Sequence, residues 1–177
     1  MNKRSFFAAA LFASTITISA VAAPADFETG PLIKEFGPVA AVPGAVPLAK
    51  GTAFNVAFDV TQQGEEGGLN RNFESAARFL NMHAAVGVSP ENMNLAVVVH
   101  GAAVADVTND AAYGGDNANA ELIKALLANR VRVIVCGQSA AFRGVTADDL
   151  LPGVEMAVSA MTAHALLQQK GYTLNPF

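Results

Sequence analysis

Two apolar runs constrain the fold of this chain more than any other feature. Met93 to Val99 reads MNLAVVV between Pro90 and Gly101, and Val131 to Val135 reads VRVIV and ends at Cys136-Gly137. A strand with one wet face alternates apolar and polar residues. Runs that are apolar at nearly every position need cover on both faces, as in a parallel sheet sandwiched by helices.

The neighbouring segments supply that cover. Phe54, Val56, Phe58 and Val60 alternate with Asn55, Ala57 and Asp59, the period of a first strand. After a polar, glycine-rich turn (Gln62 to Leu69, with Glu65-Glu66 as solvated loop), Asn72 to Val86 reads as a helix. Asn70 or Asn72 caps it, Gly87 stops it, and Phe73, Ala77, Leu80 and Ala84 form its apolar stripe. Asp116 or Asn117 caps a second helix to about Asn129, with Leu122, Ile123, Leu126 and Leu127 facing the core. The Gly114-Gly115-Asp116 turn reads as an ordinary helix entry. Short helical turns near Ser139 to Phe142 and Ala147 to Leu151 follow the VRVIV strand. Val154 to Val158 reads as a fourth strand, Ser159 to Lys170 as a helix closed by Gly171, and Tyr172 to Asn175 as a short last strand. This alternation predicts a three-layer α/β fold, with a mostly parallel sheet of about five strands and helices on both faces.

The chain reads as three regions. Residues 1–22 have the form of a signal peptide: Lys3 and Arg4, an uncharged apolar stretch from Ser5 to Ser19, then the small-x-small sequence Ala20-Val21-Ala22. The stretch is short of the roughly 20 residues that span a bilayer, so cleavage without membrane insertion is expected. The mature chain is then periplasmic or otherwise extracytoplasmic. Residues 23–51 hold Pro24, Pro31, Pro38, Pro43 and Pro47, a density that blocks helix and predicts an extended arm along its own domain or a neighbouring subunit. Residues 52–177 carry the α/β pattern.

Loss of Lys3 and Arg4 takes the formal charge from −4 to −6. That acidity excludes the basic footprint of a nucleic-acid binder and offers no attraction to anionic lipid. Cys136 is the only cysteine, so no internal disulfide can form. A lone cysteine in an exported chain is either a thiol with a task or a small buried hydrophobe, and composition leaves both open.

In a parallel α/β sheet, reactive groups collect where strands end. Those ends carry Thr61 and Gln62, His100, Cys136 and Ser159. The turn into a short helix at Gly137-Gln138-Ser139 directs amides at the cysteine, and Arg143 adds a nearby cation; both favour thiolate. His100 is the candidate to orient or deprotonate a partner, while His83 and His164 read as surface or packing residues of helices. No Cys-x-x-Cys, His-x-x-x-His, G-x-G-x-x-G, G-K-[ST] or G-x-S-x-G sequence is present, so neither a metal, a nucleotide cofactor nor a serine hydrolase is indicated.

The segment Val131 to Val145, VRVIVCGQSAAFRGV, resembles the cysteine segment of the DsrE/TusD-type sulfur-relay proteins. VVVHG at Val97 to Gly101 and SAMTAHALLQQKGY at Ser159 to Tyr172 resemble features of exported DsrE-like proteins. The resemblance spans roughly Thr52 to Phe177. It implies a flavodoxin-like fold, homo-oligomers such as trimers or hexamers, and Cys136 as a persulfide-bearing sulfur carrier that exchanges sulfur with a donor and an acceptor. Only Cys136 carries over as a functional residue; His100, Arg143 and Ser139 are supporting candidates from position. Relay members act in the cytoplasm, whereas this chain has an export signature. The alternatives are a non-catalytic oligomeric binding module with Cys136 as packing, and ligation of metal or haem by His100 with Cys136.

Overall fold

The strand β2 (Met93–Val99) lies at the centre of a five-stranded sheet in a computed structural model that describes residues 26–175. The expected signal segment, residues 1–22, lies outside the described residues. With β1 (Phe54–Val60), β3 (Arg132–Cys136), β4 (Glu155–Ala157) and β5 (Thr173–Asn175), the order is β4-β3-β2-β1-β5, and every neighbouring pair is parallel. The flavodoxin-like α/β expectation is met, with all strands parallel.

This order dictates where the helices go. The chain steps from β1 to β4 in one direction across the sheet, then returns to the far edge for β5. Right-handed crossovers place helices of the outward steps on one face and the helix of the return on the other. On the first face, α1 (Arg71–Ala85) and α3 (Ala120–Ala128) set Phe73, Ala77, Leu80, Leu122, Ile123 and Leu126 against Phe58, Val97, Val99, Val133 and Val135. Each Val, Leu, Ile or Phe side chain among these contributes about 1.5–3 kcal/mol of transfer free energy. The second face has α5 (Ala160–Gln169), whose Ala160, Ala163 and Leu167 cover Ala57, Ala96, Val98, Ile134 and Cys136. Alanines on both sides let this helix lie close to the sheet. The hydrophobic core is therefore lopsided, large under α1 and α3, small under α5.

Sequence and structure part in two places. The helix expected from Asp116 or Asn117 starts at Ala120, because Asn117 spends its side chain otherwise. Its Nδ2 donates to the carbonyls of Asp106 and Thr108, and its Oδ1 accepts from the amide of Asn119, which holds the preceding loop shut. The stretch after His100 had no assigned element. It forms a 3-10 turn over Gly101–Val107 and the one-turn helix α2 (Asp110–Tyr113).

The proline-rich arm lies along α1. A single buried residue, Asn81, holds it: Oδ1 accepts from the amides of Leu32 and Ile33, and Nδ2 donates to the carbonyls of Ile33, Phe36 and Gly37. Gly37 passes so close that a Cβ there would sit 2.5 Å from the Arg78 backbone nitrogen. Within the arm, Glu28 and Val39 pair backbone to backbone, and the Asn81 side-chain amide meets the groups of the turn between them. Asn81→Ala is expected to destabilise the protein by roughly 2–4 kcal/mol, since each orphaned buried group costs about 1–3 kcal/mol and the arm can partly rehydrate by lifting. Denaturant unfolding measures the loss, and limited proteolysis should cut the variant first between residues 30 and 50.

Candidate functional site

Alternation along the strands decides which side chains share a face. Val99 and Val135, the last paired residues of β2 and β3, point toward α1 and α3. The next residues, His100 and Cys136, therefore turn to the opposite face, under α5, on strands about 4.8 Å apart. Asp59, on β1, has the same parity as Ala57 and joins them. The two sequence-predicted rim residues are thus brought side by side.

A glycine follows each of them for a steric reason. A Cβ on Gly137 would lie 2.7 Å from the Ala157 carbonyl oxygen, and one on Gly101 would lie 3.0 Å from that of Thr61. Gly101 also has φ +58, a left-handed conformation that a side chain disfavours. The His-Gly and Cys-Gly pairs are where the rim crosses its neighbouring strand.

Cys136 opens the helix α4 (Gly137–Arg143) and is buried, 5% exposed. It makes no regular capping hydrogen bond to α4. Its environment is nonetheless polar at the sulfur. Burial pushes the thiol pKa up, but the Ser139 hydroxyl and the amides of Ser139, Ala160 and Gln138 pull it further down, and the net result lies below the ordinary cysteine value. Ala160 is the first residue of α5, so the ends of two helices meet at one sulfur. Ser139 is oriented for its part. Its Oγ accepts from the amide of Gly101 at 3.1 Å, which leaves its own proton to point elsewhere. Arg143 fixes the other end of that residue, donating from Nε to the Gly101 carbonyl at 2.7 Å. Arg143 acts on the loop after His100 rather than on the sulfur itself.

Asp59 and His164 were missed by reading the sequence. The His100 Nε2 lies 3.1 Å from both Asp59 carboxylate oxygens, and the His164 Nε2 lies 2.7 Å from Oδ1. His164 was expected as a surface or packing residue. It is instead the polar anchor of α5, with its side chain 17% exposed. Burial raises the Asp59 pKa, while the hydrogen bonds from His164 and His100 and their charges outweigh it and hold the carboxyl below its usual value. The carboxylate is therefore ionised wherever the protein functions near neutrality. A parity signal was available, since Asp59 is the one charged residue of β1 and shares its register with Ala57, which faces α5. His164 lies one helical turn after Ala160 on the buried stripe.

Among the described residues no group of three or more His, Cys, Asp or Glu side chains could hold a metal ion. No helix among the described residues is long and apolar enough to cross a membrane. Beside the sulfur, Gly101, Gln138, Ser139, Phe142 and Arg143 line a shallow cleft of about 250 Å³, and Phe142 is 91% exposed at its mouth. Cys136 is not among the lining residues. A larger cleft of about 950 Å³ lies elsewhere, between the arm and the end of α1, and holds none of the rim residues.

The DsrE/DsrF-like family model matches residues 55–176. Two solved structures share the fold. A protein of unknown function from Methanobacterium thermoautotrophicum, MTH1491, is 19% identical at a TM-score of 0.55, covering 70% of this chain and 99% of its own. The ychN protein from E. coli is 16% identical at a TM-score of 0.53, with the same coverage of 70% and 99%. No curated protein matches the chain.

Ser139→Ala is expected to raise the Cys136 pKa, because a hydroxyl bonded to the thiolate is lost while the amides remain. The sign is that of a depressed acid: thiolate present in the wild type at a given pH becomes thiol in the variant. Ultraviolet thiolate absorbance across a pH titration reads the change directly.

Proposed function

Because the chain belongs to the DsrE/DsrF-like family, we propose that it is a carrier of sulfane sulfur, held as a persulfide on Cys136. The observation that carries this reading is the polar lining of a single buried sulfur. A cysteine used only to fill space has no need of a hydroxyl and three amides that favour its ionised form. Thiolate is the nucleophile in sulfur exchange.

The step balances without a cofactor. The Cys136 thiolate attacks the terminal sulfur of a donor persulfide R–S–SH and forms the bond of Cys136–S–SH. The donor's S–S bond breaks and its electron pair leaves with R–S⁻. Delivery to an acceptor thiol repeats the exchange with Cys136 as leaving group. The signature of Lys3, Arg4 and Ala20 to Ala22 supports an extracytoplasmic setting, and exposed apolar side chains near the site, Phe142, Val158 and Met161, support self-association.

A second reading draws on the burial of Cys136 at 5% exposure. In it the protein is a non-catalytic oligomeric binding module and the cysteine is packing. The two readings separate in one experiment. On the carrier reading, polysulfide treatment of the native protein adds sulfur, seen by intact-protein mass spectrometry as the mass of one sulfur atom, and Cys136→Ser adds none. Wild-type protein that stays unmodified under native conditions, with a thiol that labels only after denaturation, favours the binding module and overturns the carrier.

A further inference from the structure

We propose that His100 is the acid that protonates the departing thiolate, and that Asp59 and His164 are positioning residues that fix which nitrogen does so. The inference rests on the carrier reading and assigns the proton in its exchange step.

Protonation can be followed nitrogen by nitrogen. An ionised carboxylate only accepts hydrogen bonds. With both Nε2 atoms within 3.1 Å of Asp59, each imidazole carries a hydrogen there. Any further proton must go to an Nδ1. The Nδ1 of His164 is buried and lacks a hydrogen-bond partner, so a hydrogen on it would be a buried donor with no acceptor. His100 stands at the rim with its side chain 32% exposed, and its Nδ1 is not among the buried atoms that lack a partner. Of the two imidazoles sharing one carboxylate, His100 is the one free to gain and lose a proton. His164 holds Asp59 in place from α5, and Asp59 turns the His100 ring so that Nδ1 is the exchanging atom.

The groups around His100 come from four elements. Asp59 comes from β1, His164 from α5, Cys136 from the neighbouring end of β3, and the Arg143 guanidinium from α4 through the Gly101 carbonyl. When the Cys136 thiolate takes the terminal sulfur of R–S–SH, the broken bond leaves R–S⁻ beside the rim. The Nδ1 proton passes to it, giving R–SH and a neutral imidazole that keeps its Nε2 hydrogen on Asp59. During delivery the same nitrogen takes the proton of the incoming acceptor thiol. No oxidant or reductant enters either direction.

The test compares two donors in the full-length protein. An alkyl persulfide releases a basic thiolate that needs a proton, whereas an aryl persulfide releases a stable thiolate that does not. His100→Gln should slow single-turnover transfer from the alkyl donor by about a hundredfold, in the range of general acid catalysis, and leave the aryl donor within about twofold. Asp59→Asn, which preserves size, should show the same donor-dependent pattern with a smaller loss. Equal losses with both donors would mean a structural role, and no loss with either would mean no role; each overturns the inference. If the wild type accepts sulfur from neither donor, the carrier reading itself fails, which is a separate and recognisable outcome.

Discussion

One carboxylate ties the second face of the sheet together. Asp59 on β1 receives His100 from the end of β2 and His164 from α5, within 3.1 Å and 2.7 Å. Few apolar contacts secure α5, since its core-facing side chains are two alanines and Leu167. A hydrogen bond to a charged group is worth about 1.5–3 kcal/mol, less where solvent screens it as at the half-buried Asp59. The polar anchor therefore decides where the helix rests. The helix in turn decides what surrounds the sulfur, because Ala160 lends its amide to Cys136.

Topology explains why the site is on this face at all. A sheet built outward in steps and completed by one long return puts most of its helices on one side. The crowded side is closed over the strands by large aliphatic and aromatic residues, and its buried polar groups, Asn70, Asp106 and Asn119, are tied to one another. The sparsely covered side has alanines in the strands, one helix, and a strand-end rim where the residues of the α5-facing parity emerge. Cys136, His100 and Asp59 all carry that parity. The two glycines that follow His100 and Cys136 serve the same geometry, leaving free the space where a Cβ would press against the carbonyls of Thr61 and Ala157.

Much of this architecture was legible in the residues themselves. MNLAVVV and VRVIV announce strands covered on both faces, and the spaced leucines of Leu122 to Leu126 announce the helix beside them. The rim position of Cys136 and His100 follows from where those strands stop. The 3-10 turn after His100 was invisible because GAAVADV has neither helical nor strand period, and its shape is set by Asn117 reaching back to the carbonyls of Asp106 and Thr108. The pairing of Asp59 with His164 was invisible for another reason. The two residues are 105 positions apart, and no local pattern relates a strand to a helix that arrives only after the return crossover. Burial of the cysteine was likewise undetermined, since it depends on the depth of that docking.

The lopsided core also sets an energetic scale for exposing the sulfur. Local opening in proteins draws on the least stable cooperative unit, not on the whole fold. Lifting α5 breaks one small apolar cluster and the Asp59 anchor, while the larger cluster under α1 and α3 stays intact. The thiol is then guarded by a fraction of the total unfolding free energy. A partner that inserts its own apolar side chain beneath the helix, or competes for the carboxylate, would reach the sulfur without disturbing the rest of the molecule.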